Sequence, residues 1–315
     1  MKIMSLEEIK SHLDLKKSIA MQEEGFKLFS EGKVTAPPVG YMKIGEDFGE
    51  VHIKYGWIEG DEVFVVKIAG AYPQNKSKVH GMILVFNAET GVPVALLQDE
   101  GYLTNLRTAI AGMIAAKYLA PKEISVIGVI GSGTQARLQL SLLKNHTECR
   151  DVVIWGRSNQ KVHDYIEEML SEGFEVRQVG SPAEVCKACN LMITTSSAQE
   201  PLILAKDVQP GTHITAVGAD APGKQELDPN IFRIADICAV DSKSQCLDHG
   251  EASHPYKAGI IREADLVELG EIIQDHSLRR HSSQEITIAD LTGISVQDIQ
   301  IAKSILYGTV NKLNQ

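Results

Sequence analysis

The sequence predicts an α/β protein with a doubly wound parallel sheet and a second, α+β domain, and three observations carry that prediction. From Ser125 to Ala289, short apolar runs alternate with helical stretches, as parallel strands joined by crossover helices do. Within this region the run Ile124–Ile130 ends at Gly131-Ser-Gly133-Thr134-Gln135 and leads straight into the helical pattern Ala136–Leu143. Strand, paired glycines and helix in that register make a Rossmann-type turn. From Tyr41 to Leu97, by contrast, closely spaced strands with turn residues between them read as a largely antiparallel sheet.

Ser5-Leu-Glu-Glu8 is a capping box, and Ile9, Leu13, Ile19 and Met21 continue one helical pattern through Phe29. Glu31-Gly32-Lys33 ends it, and Pro37-Pro38 forces an extended segment. The strands that follow are Val51–Tyr55, Val63–Ile68, Gly81–Phe86 and Pro93–Leu97, with turns at Glu59–Asp61, Asn75–Lys78 and Glu89–Gly91. This sheet has too few helices to cover both faces, so a second copy of the chain is expected against it. A helix over about Leu103–Leu119 carries Ala109, Ala111, Gly112, Ala115 and Ala116, which mark close packing. Pro121 opens the alternating region, with strands at Ser125–Ile130, Val152–Trp155, Glu175–Val179, Leu191–Thr194, His213–Val217, Ile237–Val240 and Glu285–Ala289. A last amphipathic helix, Val296 to about Asn311, is expected to return to the N-terminal region.

Composition bounds the partners. At 315 residues, with 43% apolar and 23% charged residues, the chain is long enough for two globular domains. A net charge of −10 argues against nucleic acid or an anionic membrane surface. No apolar run approaches the roughly 20 residues of a membrane span, and the N-terminus lacks a signal-peptide pattern. Five cysteines, an odd number, suit a reducing cytoplasm. Cys186 and Cys189 form a C-x-x-C in a helical setting and read as structural, while His52, His80 and His213 lack ligand spacing, so no metal site is expected.

The chemistry begins at the glycines. Gly131 permits the tight turn, and Gly133 lets backbone amides approach a pyrophosphate at the helix N-terminus, with Thr134 and Gln135 in the first turn. Ala136 stands at the third glycine position, where a small residue suffices. The second strand ends in Trp155-Gly-Arg157-Ser158, where an acidic residue would bind a ribose 2′-OH. Arg157 pairs instead with a 2′-phosphate and Ser158 can donate to it, so NADP(H) is favoured and NAD(H) is the alternative. Lys67 interrupts the apolar strand on the face of Val63 and Val65, where a charge needs an acid or a substrate carboxylate. Arg107 precedes the small-residue face of its helix and suits bidentate carboxylate binding. Asp220 follows the strand Ile214–Ala219, at the edge where parallel sheets present acids and bases.

Taken in order, Val66-Lys67-Ile with Pro73-Gln-Asn75, Leu103-Thr-Asn-Leu-Arg107-Thr-Ala, Ile130-Gly-Ser-Gly-Thr-Gln135 and Ala216-Val-Gly-Ala-Asp220 with Pro222-Gly-Lys224 resemble the ornithine cyclodeaminase/μ-crystallin family. The resemblance covers nearly the whole chain. It implies a homodimer in which residues 120–294 form an NAD(P)-binding Rossmann domain. Residues 1–119 and 295–315 would then form a substrate-binding and dimerisation domain. It also implies that Lys67 and Arg107 hold a substrate carboxylate, that Asp220 is the acid/base, and that Ser197, Val217, Gly218 and Lys224 lie near the cofactor. Two positions depart from the family: Val39 replaces a frequent arginine, and Lys54 stands where cyclodeaminases carry a glutamate. Lys54 either replaces that arginine or faces solvent. The residues favour an NADPH-dependent reductase of small imino acids, of the ketimine or Δ1-pyrroline-2-carboxylate type. The alternatives are ornithine cyclodeaminase, an ammonia-lyase that makes L-proline with catalytic NAD, and a crystallin-like NADPH-binding protein without turnover.

Overall fold

Ser5 caps the first helix of the computed structural model, accepting from the Glu8 amide while the Glu8 carboxylate accepts from the Ser5 amide. The structure describes residues 1–45, 48–72 and 79–313, so the turn at Asn75–Lys78 and the Pro73-Gln-Asn75 motif lie outside the described residues. In chain order, β1 (Lys2–Met4) precedes α1 (Leu6–His12) and α2 (Leu15–Ser30). The single helix expected through Phe29 is therefore two. Leu13 turns extended and the Asp14 side chain accepts from the Lys17 amide, a local cap that competes with helix continuation. There follow β2 (Val34–Thr35), β3 (Gly40–Ile44), β4 (Gly49–Ile58), β5 (Val63–Ala71), β6 (Val79–Asn87), β7 (Pro93–Leu97) and α3 (Tyr102–Leu119). The alternating region is β8 (Ile127–Ile130), α4 (Thr134–Leu143), β9 (Asp151–Trp155), α5 (Asn159–Ser171), β10 (Glu175–Gln178), α6 (Pro182–Ala188) and β11 (Leu191–Thr194). It continues with β12 (His213–Ala216), α7 (Ile231–Ile234), β13 (Ile237–Val240), α8 (Lys243–His249), α9 (Ser253–Lys257), β14 (Leu266–Glu268), α10 (Leu269–Gln274) and β15 (Thr287–Asp290). The last helix is α11 (Ser295–Leu313).

The chain divides into two compact units, residues 1–108 with 294–315, and residues 109–293. The division falls inside α3 rather than after Leu119. The C-terminal half of that helix carries the small residues, and Gly112 lies so close to the Gln139 side chain of α4 that a β-carbon there would collide with it.

In the first unit the strand order is β1-β7-β6-β5-β4-β2, with β3 also on β4; β1 runs parallel to β7 and the other pairs are antiparallel. Its inner face buries Val63, Val65, Ile83, Val85 and Leu97, and α11 packs on β4, β5 and β6 and against α2. The returning C-terminal helix thus behaves as expected. On the opposite face Tyr55, Val66, Leu84, Leu96 and Ile3 lie in one row across five strands, and Phe64 stacks on Phe86 at 4.9 Å. None of this row is fully buried.

The second unit is built on an all-parallel sheet ordered β10-β9-β8-β11-β12-β15-β13-β14. One apolar cluster joins Ile127, Val129 and Ile154 to Ala136, Leu140 and Tyr165, and another joins Ile130, Met192 and Ile214 to Val185, Ile231 and Cys246. Helices therefore cover both faces, and the strand order reverses between β8 and β11. In doubly wound sheets ligands bind outside the carboxyl ends of the strands at such a reversal. The short β14, without a clear apolar alternation, was not foreseen. Cys186 and Cys189 are buried and free, and burial pushes both thiols up, Cys186 to about 12. His213 is buried between Thr287 and Thr215, and burial drives it down to about 3. No described helix is long and apolar enough to cross a membrane.

Candidate functional site

In the second unit, the turn after β8 has the geometry its glycines imply. Gly131 has φ +104°, and a β-carbon there would lie 2.8 Å from Thr195 Oγ1, at the end of β11. Gly133 is the N-cap of α4; no side chain caps that helix, and open space surrounds the place of its missing β-carbon. Thr134 is exposed and Gln135 half-buried in the first turn, while Ala136 is fully buried against the sheet. An uncapped helix N-terminus behind an open glycine fits a dinucleotide pyrophosphate.

The other expected cofactor residues line the same carboxyl edge. Arg157, exposed after β9, donates through Nη2 to Ser197 Oγ at 3.3 Å, so the structure brings these two together beyond β9 and β11. Ser158 Oγ accepts from the Lys161 amide at 3.5 Å and caps α5, a structural task. Val217 and Gly218 are buried directly after β12. Asp220 follows them with its side chain 52% exposed, in an ion pair with Lys224 at 2.5 Å. Lys224, expected near the cofactor, is thus engaged with the candidate acid/base.

The first unit holds the cations. Lys67 Nζ lies 3.0 Å and Arg107 Nε 3.3 Å from the same oxygen, Asp298 Oδ1. All three side chains are nearly inaccessible. Arg107 Nη1 also donates to Gln297 Oε1 at 3.3 Å, and the Gln297 amide nitrogen donates to the Arg107 carbonyl. Asp298 Oδ2 is buried without a hydrogen-bond partner. Lys54 sits directly opposite Lys67 in the β4–β5 ladder and is buried, so it faces inward and not toward solvent. Val39 is half-buried. Sequence reasoning missed Asp298 and Gln297. Their signal is that Ser295, Gln297, Asp298 and Gln300 bring polar side chains into the opening turns of α11, on a stretch buried all round.

A parallel-sheet unit of Rossmann type joined to a β-rich unit with an interior cationic group defines a class of nucleotide-dependent enzymes. Residues 1–312 match the ornithine cyclodeaminase/mu-crystallin family, and the chain belongs to it. It is 36% identical over 292 residues to an uncharacterized cyclodeaminase of Sinorhizobium fredii, spanning 90% of this chain and 88% of the relative. An archaeal alanine dehydrogenase dimer with bound NAD superposes with a TM-score of 0.90 at 32% identity, covering 99% of this chain and 97% of the other. The Thermococcus litoralis Δ1-pyrroline-2-carboxylate reductase, in complex with NADH and L-proline, gives a TM-score of 0.90 at 28% identity, covering 99% and 98%.

Burial lowers Lys67 from the ordinary 10.5 to about 7; Asp298 opposes that fall, while Arg107 and Lys54 add to it. Between about 7 and 10.5 the unfolded chain therefore binds more protons at this residue than the folded one, so stability gained from Lys67 rises with pH across that window. Urea denaturation from pH 7 to 10 is expected to show a more positive slope of stability with pH for the unaltered protein than for Lys67→Met. Equal slopes would mean that Lys67 keeps an ordinary proton affinity in the fold.

Proposed function

We propose that this protein is a reductase of small α-imino acids, of the ketimine or Δ1-pyrroline-2-carboxylate type, working with NADPH in preference to NADH in the cytoplasm as a homodimer. The observation that carries the reading is the buried Lys67–Asp298–Arg107 group, a preorganised cationic seat for an α-carboxylate. An ammonium has three donors and Asp298 takes one, so Lys67 retains capacity for a carboxylate oxygen. Arg107 adds a planar fork held in place by Gln297. Gly131, Gly133, Thr134 and Gln135 are assigned to the pyrophosphate, Arg157 and Ser158 to the 2′-phosphate, and Ser197, Val217 and Gly218 to the cofactor's other half. A bound reduced nicotinamide supplies the hydride for the C=N carbon. Asp220 delivers the proton to nitrogen or balances the iminium charge, and Lys224 stabilises the carboxylate that remains. The relatives with NADH and L-proline, and with NAD, support the chemistry and the nicotinamide.

Ornithine cyclodeaminase is the second reading, favoured by the cyclodeaminase relative. Lys54 weighs against it. A second inward-facing cation beside Lys67 repels the side-chain ammonium of a diamino acid and tolerates an uncharged or anionic one. A panel of imino and diamino acids with both cofactors separates the readings. Stoichiometric NADPH oxidation with an imino acid is expected; ammonia release from ornithine without net cofactor turnover would identify the lyase, and binding of NADPH without either would identify a crystallin-like protein.

Lys67→Ala is expected mainly to raise KM for the imino acid, and Asp220→Asn mainly to lower kcat, by about 10²–10⁴-fold for a lost acid–base group. A near-normal kcat in Asp220→Asn would remove Asp220 from the mechanism. Arg157→Ala should cost NADPH affinity about tenfold to hundredfold and leave NADH affinity little changed, as nucleotide titration would read. The apolar row Tyr55–Val66–Leu84–Leu96–Ile3 is assigned to the dimer contact, so Val66→Glu should sediment as a monomer where the unaltered chain is a dimer.

A further inference from the structure

Three fully buried carboxylates stand in series behind the carboxyl edge of the parallel sheet, and each accepts backbone amides. Glu226 Oε1 accepts from the Ser196 amide at 2.6 Å and Oε2 from the Gly218 amide at 2.9 Å. Glu251 accepts from the amides of Glu226 at 2.6 Å and Leu227 at 3.0 Å. Asp290, the last residue of β15, accepts from the Ala252 amide at 2.9 Å. The series thus runs from a central strand, through the residue beside Ala252, to the two loops that follow β11 and β12. The Glu226 carbonyl completes the tie by accepting from the amides of Leu202 and Ile203.

The two loops held by Glu226 are those that bear Ser197 and Asp220, each within two residues of the amide it holds. Gly218 fits only because it has no side chain: a β-carbon there would collide with Glu226 Oε2 and the Ser196 carbonyl. Burial pushes the Glu226 carboxyl up to about 7, and the hydrogen bonds from Ser196, Thr194 and Gly218 act the other way. A carboxylate in the interior is tolerable because its oxygens meet amides that would otherwise be unpaired themselves.

We propose that Glu226 is a positioning residue, which sets the spacing of the Ser197 and Asp220 loops and so aims the acid/base and one wall of the cofactor site. The role rests on the assignment of Asp220 made above. Glutamine keeps the volume of Glu226 but offers one acceptor and one donor, so one of the two loop amides must face an N–H and be released. Hydrogen–deuterium exchange on the full chain reads this directly, whatever the substrate. Glu226→Gln is expected to speed exchange at the 195–198 or 217–220 amides, while the β8–β9 core keeps its protection. Unchanged exchange at both segments would overturn the proposal. Kinetics read the functional half. Glu226→Gln is expected to lower kcat with the imino acid about 10–100-fold with KM within threefold, as for a catalytic group displaced by about 1 Å. In an Asp220→Asn background the same change should cost little more, because the two act as one unit. Full additivity of the two losses, or a fall in melting temperature with kcat intact, would make Glu226 a core residue only. If Glu226→Gln does not fold, Gly218→Ala disturbs the same contact from the loop side and is expected to give the same exchange and kcat signature. An unaltered protein that turns over no imino acid would sink the function proposed above, and the exchange result would still decide the role of Glu226.

Discussion

A charge taken out of water must be answered by something else in the interior, and both units are arranged by that requirement. In the first, Lys67 and Arg107 lie on buried surfaces and converge on one oxygen of Asp298. Removing Asp298 from this group would leave two buried cations without their counter-charge, and breaking a buried pair in this way costs about 3–5 kcal/mol. In the second, the buried acids Glu226, Glu251 and Asp290 are answered by backbone N–H groups. The same constraint therefore produces a compact ionic group in one unit and a set of loop anchors in the other.

The division suits the proposed chemistry. Recognition of a carboxylate calls for fixed cations, and a strand and a helix locked by packing hold them better than loops do. Binding of a dinucleotide calls for backbone close to the ligand, the role proposed for Gly131 and Gly133 at the switch point between β8 and β11. Loops at a sheet edge supply the remaining groups, provided that something fixes their positions from below.

Much of this was readable from residue patterns. Period-two alternation placed Lys67 inward, and the β-branched run ending in Gly131 placed the nucleotide turn, because both signals are local. What stayed hidden was set by distant residues. The break between α1 and α2 depends on Asp14 acting as a cap, which competes with an apolar spacing that still looks helical. Asp298 meets Lys67 across 231 positions of sequence, and nothing in either segment names the other. Lys54 could be aligned but not oriented until the β4–β5 register put it opposite Lys67. Glu226 reads in sequence as one more acid in a polar stretch. Its importance lies in two amides, and amides leave no mark on composition.

The order in which the chain is made adds one consequence. The second unit is continuous, residues 109–293, and has all its parts once those residues have left the ribosome. The first unit is not: its sheet is synthesised early, but its only described counter-charge for Lys67 and the helix that covers its inner face come at the far end. At about 5–20 residues per second, Lys67 waits roughly ten to fifty seconds for Asp298 to be synthesised. The residues of the second unit are thus all made before the sheet of the first can meet the helix that covers it. Through that interval the inner face of the sheet and Lys67 stand without the helix that later covers them.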